Sequence, residues 1–167
     1  SIIAGSGSDE LIDFVMRLFI DPGDKVINCV PTFGMYQFST DAWGGKIINI
    51  PRDAGFAIDV SEVKKAAAQG VKAMFVASPN NPSGNVTPRE DILQLLEMPM
   101  IVVLDEAYYE FSGQTLVQLV HEHDNLIVLR TFSKWAGLAG LRVGYGVFPE
   151  KLARHLLRIK PPYNVNT

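Results

Sequence analysis

The chain has 167 residues and a formal net charge of −3, so it carries no overall positive field for nucleic acid or an anionic membrane surface. Any anion site must be local. Apolar residues make up 47% and charged residues 20%, the balance of an ordinary globular protein with room for a sizeable core. Cys29 is the only cysteine, which excludes an intrachain disulfide and a multi-cysteine metal site; it sits in the apolar run 26–30 and is expected to be a core thiol. No apolar run approaches the length of a membrane span, and no signal or transit peptide is visible. The expectation is a cytoplasmic protein, or a plastid one if a transit peptide precedes Ser1. The chain starts abruptly, as if a strand were already under way, and stops without a terminal element, which reads as a fragment.

The first expected strand covers Ile2, Ile3 and Ala4. After Gly5-Ser-Gly-Ser-Asp-Glu10, Leu11, Phe14, Val15, Leu18 and Phe19 recur at helical spacing. Ser8 or Asp9 is the expected N-cap, and Asp9 and Glu10 suit the positive end of a helix. Gly5 and Gly7 let the backbone approach a ligand, and the free N–H groups of the helix start form an anion site. The plain alternative is a strand-to-helix connection. A turn at 21–24 leads to a strand over 25–30 and a helix over 34–42. Phe33 stands between those two, as a ring to stack on a planar ligand or as a core aromatic. A strand over 46–50 follows, Asp59 or Ser61 caps a helix to about Gln69, and 72–77 is the next strand. Ser78-Pro-Asn-Asn-Pro-Ser-Gly84 is a dense turn at that strand's end. Asn80 and Asn81 either reach into a crevice as amide donors or bond locally in a rigid loop. Thr87-Pro-Arg-Glu90 has the form of a capping box with proline first in the helix, which runs to about Glu97.

Residues 100–104 are continuously apolar and rich in branched side chains, as a central parallel strand buried on both faces requires. They run straight into Asp105. An aspartate there needs a partner, because an unpaired buried carboxylate is costly; capping a neighbouring helix or binding a metal are the alternatives. Residues 114–123 read as a helix with His121 and His123 solvated, and nothing forms a metal-ligand set with them. A strand over 126–129 then ends in Thr131, Phe132 and Ser133, and Lys134 follows. Another strand over 143–148 begins directly after Arg142, and a helix over 150–160 closes the chain. Strand ends in open α/β sheets are where ligand crevices form. A lysine held there, partly desolvated and near another cation, has a lowered pKa and acts as an amine nucleophile. Its alternative is a surface lysine in a glycine-rich connection. Strands and helices alternate with short connections throughout. The expected fold is α/β, a three-layer sandwich of a mostly parallel sheet with helices on both faces.

Ser8, Asp9, Phe33, Asn81, Asp105, Tyr108, Thr131, Ser133, Lys134 and Arg142 all fall at strand ends. Together they meet the needs of one cofactor, pyridoxal 5'-phosphate. An imine needs a lysine, and a buried carboxylate keeps the pyridine nitrogen protonated as an electron sink. An asparagine amide and a tyrosine hydroxyl suit the phenolate oxygen, and an aromatic ring covers the cofactor's own. A helix N-terminus, hydroxyls and an arginine fork suit the phosphate.

The motifs are Gly5-Ser-Gly-Ser-Asp-Glu-Leu-Ile12, Pro31-Thr-Phe-Gly-Met-Tyr36, Ser78-Pro-Asn-Asn-Pro-Ser-Gly84 and Leu104-Asp-Glu-Ala-Tyr108. Thr131-Phe-Ser-Lys134, Gly140-Leu-Arg-Val-Gly-Tyr145 and Pro161-Pro-Tyr-Asn-Val-Asn166 complete the series. In this order they resemble the class I/II aminotransferases of the type-I pyridoxal-phosphate fold, most closely the histidinol-phosphate aminotransferases, over essentially the whole chain. The resemblance implies that Lys134 holds the cofactor as an imine, with Lys134, Asp105 and Tyr108 as the catalytic residues. It places Asp105 on the pyridine nitrogen, Asn81 and Tyr108 on the phenolate oxygen, and Ser8, Asp9, Thr131, Ser133 and Arg142 around the phosphate. Phe33 occupies a position that many members fill with tyrosine, so stacking survives and a hydroxyl bond is lost.

By the same resemblance, residues 1–167 are the cofactor-binding large domain. The small domain, its substrate-binding arginine and a tyrosine of the partner subunit lie outside the chain. The whole protein is then a homodimer, and this piece alone is expected to show little turnover. The implied reaction moves an amino group from histidinol phosphate to 2-oxoglutarate, giving imidazole acetol phosphate and glutamate in histidine biosynthesis. Aromatic aminotransferases, threonine-phosphate decarboxylase-like enzymes and carbon–sulfur lyases share nearly all these motifs. A non-catalytic effector-binding module of the same fold is the alternative from another class, and intact Lys134, Asp105 and Arg142 argue against it.

Overall fold

A stretch such as β5 (Ile101–Asp105) has nowhere to go but the middle of a sheet, and there it lies, with four of its five residues buried. The computed structural model describes residues 1–166, so Thr167 falls outside the account that follows. The remaining elements are β1 (Ile2–Gly5), α1 (Gly7–Phe19), β2 (Lys25–Val30), α2 (Met35–Ala42), β3 (Lys46–Pro51) and α3 (Val60–Ala67). They continue with β4 (Val71–Ala77), α4 (Arg89–Leu96), α5 (Tyr109–Ser112), β6 (Leu126–Thr131), β7 (Gly144–Val147) and α6 (Glu150–Ile159). The sheet runs β1-β7-β6-β5-β4-β2-β3. β7 is antiparallel to both β1 and β6, and the other neighbours pair in parallel. The carboxyl ends of β1, β2, β4, β5 and β6 therefore share one edge with the start of β7.

Period-two alternation sends side chains to two cores. Ala73, Phe75, Ala77, Val103 and Ile127 face α1, α2 and α6, where Leu11, Phe14, Val15, Tyr36 and Leu156 are buried. Met74, Val76, Val102, Leu104 and Val128 face α3 and α4, meeting Val63, Ile92 and Leu95. The three-layer arrangement expected from the sequence is the one present. Cys29, at 1% exposure, is a core thiol. Among the described residues no helix is long and apolar enough to cross a membrane.

Three local expectations need correction. α1 starts at Gly7 with Ser6 as N-cap, so Ser8 and Asp9 lie in its first turn rather than before it. No side chain caps α1: Glu10 Oε2 accepts the Ser6 N–H at 2.7 Å, which leaves the N–H groups of the first turn open. At α4 no capping box closes: Pro88 is the N-cap, so the helix starts one residue later than expected, and Ser78 Oγ accepts the Thr87 N–H at 3.0 Å. Asp59 does cap α3, accepting from the Glu62 N–H at 3.0 Å. Residues 114–123 form a short 3-10 turn, Val117–His121, in place of a helix. Glu106 captures its approach, accepting from the Leu116 N–H at 2.7 Å and from Thr115 Oγ1, and few residues remain before β6.

Glu106 also pairs with Arg130 at 2.8 Å in the interior. The Arg130 guanidinium donates to Thr115 Oγ1 at 2.6 Å and to the Tyr145 hydroxyl at 3.3 Å, and lies 3.6 Å from the centre of the Tyr109 ring. A buried pair with all these partners ties the turn after β5 to β6 and β7, and removing one member of such a pair costs about 3–5 kcal/mol.

Candidate active site

All ten residues singled out in the sequence line one cleft at the carboxyl edge of the sheet, with about 630 Å³ of space, open solvent at its mouth included. Tyr36, Ala77, Pro79, Ala107 and Ala139 complete its wall.

Asp105 ends β5 on the cleft side and is 4% exposed. Its partners are the Tyr36 hydroxyl, which donates to Oδ2 at 2.7 Å, and the Ala107 N–H, which donates to Oδ1 at 3.0 Å. Burial pushes its carboxyl above the usual range, and these two bonds, with Lys134 across the cleft, act against that push. The partner that the buried carboxylate requires is thus Tyr36 together with a backbone amide.

The loop after β6 carries the hydroxyls and the amine. Thr131 is buried, and its Oγ1 accepts the Ser133 N–H at 3.1 Å, turning the chain out of the sheet. Lys134 follows, its Nζ 5.4 Å from the centre of the Tyr108 ring. The residue as a whole is not buried there. Lys134 is exposed because the stretch that follows it runs over the surface, with Trp135, Leu138 and Leu141 also exposed.

Arg142 closes the cleft beside α1. Its backbone is left-handed, φ 49° and ψ 56°, a strained conformation for a residue with a side chain. The guanidinium donates to Asp9 Oδ2 at 3.0 Å and reaches Ser133 Oγ at 3.4 Å. Gly7, at φ +76°, makes room for it: a Cβ there would lie 2.6 Å from Arg142 Nη2. The glycine at position 7 thus accommodates the arginine, whereas Gly5 accommodates Leu11 and Glu10. With Ser8 and Asp9 in the first turn of α1, a cation and the open N–H groups of a helix start stand together, a ready anion site.

Phe33 is half-buried, its ring edge-on to Tyr36 at 5.6 Å, so it both packs on the core and faces the cleft. The two asparagines part company. Asn80 is 3% exposed and bonds across the fold to Thr32, Arg52 and the Pro31 carbonyl, and within its own loop only to Ser83. Asn81 lines the cleft. Tyr108, half-buried at the turn after β5, faces it from the other side.

Tyr36 is the site residue that the sequence reading left without a role. It stands three places after Phe33, on the same face of a helical turn, and that spacing was the available signal.

A lysine, a buried carboxylate and an arginine-backed helix N-terminus thus gather at the strand ends of an open sheet, where ligand crevices form. The model of the aminotransferase class I and II family matches residues 1–167, and the chain belongs to that family. It is 56% identical over 165 residues to the histidinol-phosphate aminotransferase of Dehalococcoides mccartyi, covering 99% of this chain and 46% of that protein. With the chloroplastic histidinol-phosphate aminotransferase of Nicotiana tabacum, identity is 50% over 167 residues, covering 99% and 40%. The chain therefore spans less than half the length of these curated relatives. The crystal structure of histidinol-phosphate aminotransferase from Sinorhizobium meliloti in complex with pyridoxal-5'-phosphate matches with a TM-score of 0.87 at 27% identity, over 95% of this chain and 45% of that one. That of the Clostridium acetobutylicum enzyme matches with a TM-score of 0.88 at 24% identity, over 99% and 50%, a likeness of fold.

Proposed function

We propose that residues 1–167 are the pyridoxal-phosphate-binding large domain of an aminotransferase, and that the whole protein moves an amino group between histidinol phosphate and 2-oxoglutarate. The observation that carries the reading is a buried, hydrogen-bonded Asp105 in the same cleft as the Lys134 amine and the Arg142 guanidinium. The donor set fits the cofactor at every polar position. Lys134 offers the amine, Asp105 a carboxylate for the pyridine nitrogen, and Asn81 and Tyr108 donors for the phenolate oxygen. Phe33 offers the ring cover. Ser8, Asp9, Thr131, Ser133 and Arg142 offer the phosphate its backbone amides, hydroxyls and cation.

When bound, pyridoxal phosphate supplies an electron sink for the pair released from the substrate Cα–H bond. Asp105 holds the proton at the pyridine nitrogen, which keeps that sink open. Lys134 is the base that takes the substrate α-proton and returns it one position away, and its exposed loop gives the amine the reach to do both. Arg142 would add the phosphate to the partners it already meets in the cleft, Asp9 and Ser133. The Asp9–Arg142 pair is about 40% exposed on both sides, so opening it costs on the order of 1 kcal/mol or less. A second, smaller domain and a partner subunit complete the substrate pocket in this reading; the partial coverage of the relatives supports the first of these.

Borohydride reduction of the full-length protein with pyridoxal phosphate, followed by peptide mapping, tests the site. The pyridoxyl group is expected on Lys134. A label on Lys72, Lys151 or any other lysine overturns the assignment.

A further inference from the structure

The groups that face Asp105 come from four directions. Tyr36 approaches from α2 and the Ala107 N–H from the turn after β5. Asp9 from α1 acts through space to raise the carboxyl's proton affinity, and Lys134 from the loop after β6 acts to lower it. The two direct donors take one oxygen each, which fixes the plane of the carboxylate. Tyr36 itself has no freedom to leave. Its side chain is fully buried, its ring stacks on Phe75 at 4.9 Å and meets Phe33 edge-on at 5.6 Å, and Thr40 Oγ1 donates to its carbonyl at 2.7 Å. Burial and the neighbouring Asp105 hold the Tyr36 hydroxyl well above the ordinary phenol range, with Arg52 as the opposing charge, so it stays a donor throughout neutral pH.

We propose that Tyr36 is a positioning residue: its hydroxyl orients the Asp105 carboxylate and keeps it ionised, so that Asp105 can hold a proton on the ring nitrogen of the cofactor. The proposal rests on the cofactor reading above for its purpose, but not for its physics. A carboxylate taken out of water binds its proton more tightly, and a hydrogen bond to the charged form reverses that. A bond of this kind to a buried charge is worth a shift of about one pH unit or more. Phenylalanine at position 36 keeps the ring contacts and removes only the donor.

The test is a ¹³C NMR titration of the full-length apoprotein labelled at aspartate carboxyls, the Asp105 signal being identified by its loss in Asp105→Asn. In Tyr36→Phe the Asp105 midpoint is expected to rise by about one unit or more. An unmoved midpoint in a folded variant overturns the proposal. Should Tyr36→Phe fail to fold, fluorinated tyrosines at position 36 keep the shape and strengthen the donor. The midpoint must then fall stepwise as the phenol becomes more acidic, and a constant midpoint overturns the proposal equally. In the holoprotein, Tyr36→Phe should move the acid limb of kcat and the absorbance titration of the bound cofactor to higher pH, with KM little changed. A full-length protein that takes up no pyridoxal phosphate would sink the cofactor reading and leave the apoprotein titration standing.

Discussion

Asp105 and Cys29 show how the same burial has opposite uses at the scale of single residues. Asp105 carries two donors that favour its charged form, whereas Cys29 is surrounded by apolar core. Asp105→Asn keeps the shape and the Tyr36 contact but cannot hold the pyridinium proton. Transamination by the full-length protein is expected to fall on the order of a hundredfold or more, with the cofactor still bound through its phosphate. Activity near the unmodified level would refute the role. For Cys29, burial raises the thiol from 9.0 to about 11, and Arg52 nearby only partly opposes this. The folded state therefore resists ionisation that the unfolded chain undergoes freely. That stability is fully present below pH 9 and is lost as pH rises through 11, a loss of roughly 2–3 kcal/mol. Urea unfolding of Cys29→Ala should show a flatter decline between pH 9 and 11 than the unmodified chain. Equal slopes would mean that the thiol does not titrate as its burial requires. At this scale the sequence was highly legible, because the chemistry of the site uses residue types that strand ends seldom gather by chance. Tyr36 escaped because its spacing from Phe33 points only to a shared face, while its role is set by a bond to a residue 69 positions away.

At the scale of elements, the phosphate side of the cleft depends on a contact between backbones. β7 begins at Gly144, where an added Cβ would lie 2.5 Å from Gly7 C and from Ser8 N and 2.9 Å from Arg130 O. None of these backbone atoms can swing aside as a side chain would. Gly144→Ala must therefore displace the β1–α1 turn or the start of β7, at a cost of about 1–3 kcal/mol. The same displacement moves the helix start that, with Arg142, forms the anion site. The expected outcome is a lower Tm together with weaker binding of pyridoxal phosphate by the full-length protein. A variant with lowered Tm and unchanged affinity would show that the turn and the anion site are uncoupled. Periodicity made the strands and the long helices legible, and it misplaced ends where a tertiary partner intervened. Glu10 holds the Ser6 N–H and the helix starts before Ser8 and Asp9, and Glu106 diverted residues 114–123 into a 3-10 turn. Glycines told a similar story, since Gly5 and Gly7 answer to Leu11 and Arg142, side chains that only the folded chain brings near.

For the whole molecule the remaining question is which amino donor the full-length protein prefers, and we expect histidinol phosphate with 2-oxoglutarate. Three stretches support that preference: Gly7-Ser-Asp-Glu-Leu-Ile12 on α1, Leu138-Ala-Gly-Leu-Arg-Val-Gly144 before β7, and Pro161-Pro-Tyr-Asn-Val-Asn166 after α6. The fold joins the first and last of these. Asn164 Nδ2 donates to Glu10 Oε2 at 2.6 Å and to the Ala4 carbonyl at 3.3 Å, so the segment after α6 is tied back to the start of α1 beside the anion site. That link bears on where the chain leaves the domain, not on the imidazole, which no residue here reads by itself. The cofactor residues cannot discriminate, because any reaction of this cofactor needs the same lysine, carboxylate and phosphate site. Discrimination must come from substrate contacts made when the site closes. The measurement is kcat/KM of the full-length protein for histidinol phosphate, aromatic amino acids and threonine phosphate. The phosphate contacts that aromatic amino acids lack, or the imidazole contacts that threonine phosphate lacks, should cost the wrong donor on the order of a hundredfold or more. Preference for an aromatic amino acid would leave the roles of Lys134 and Asp105 untouched and overturn the substrate.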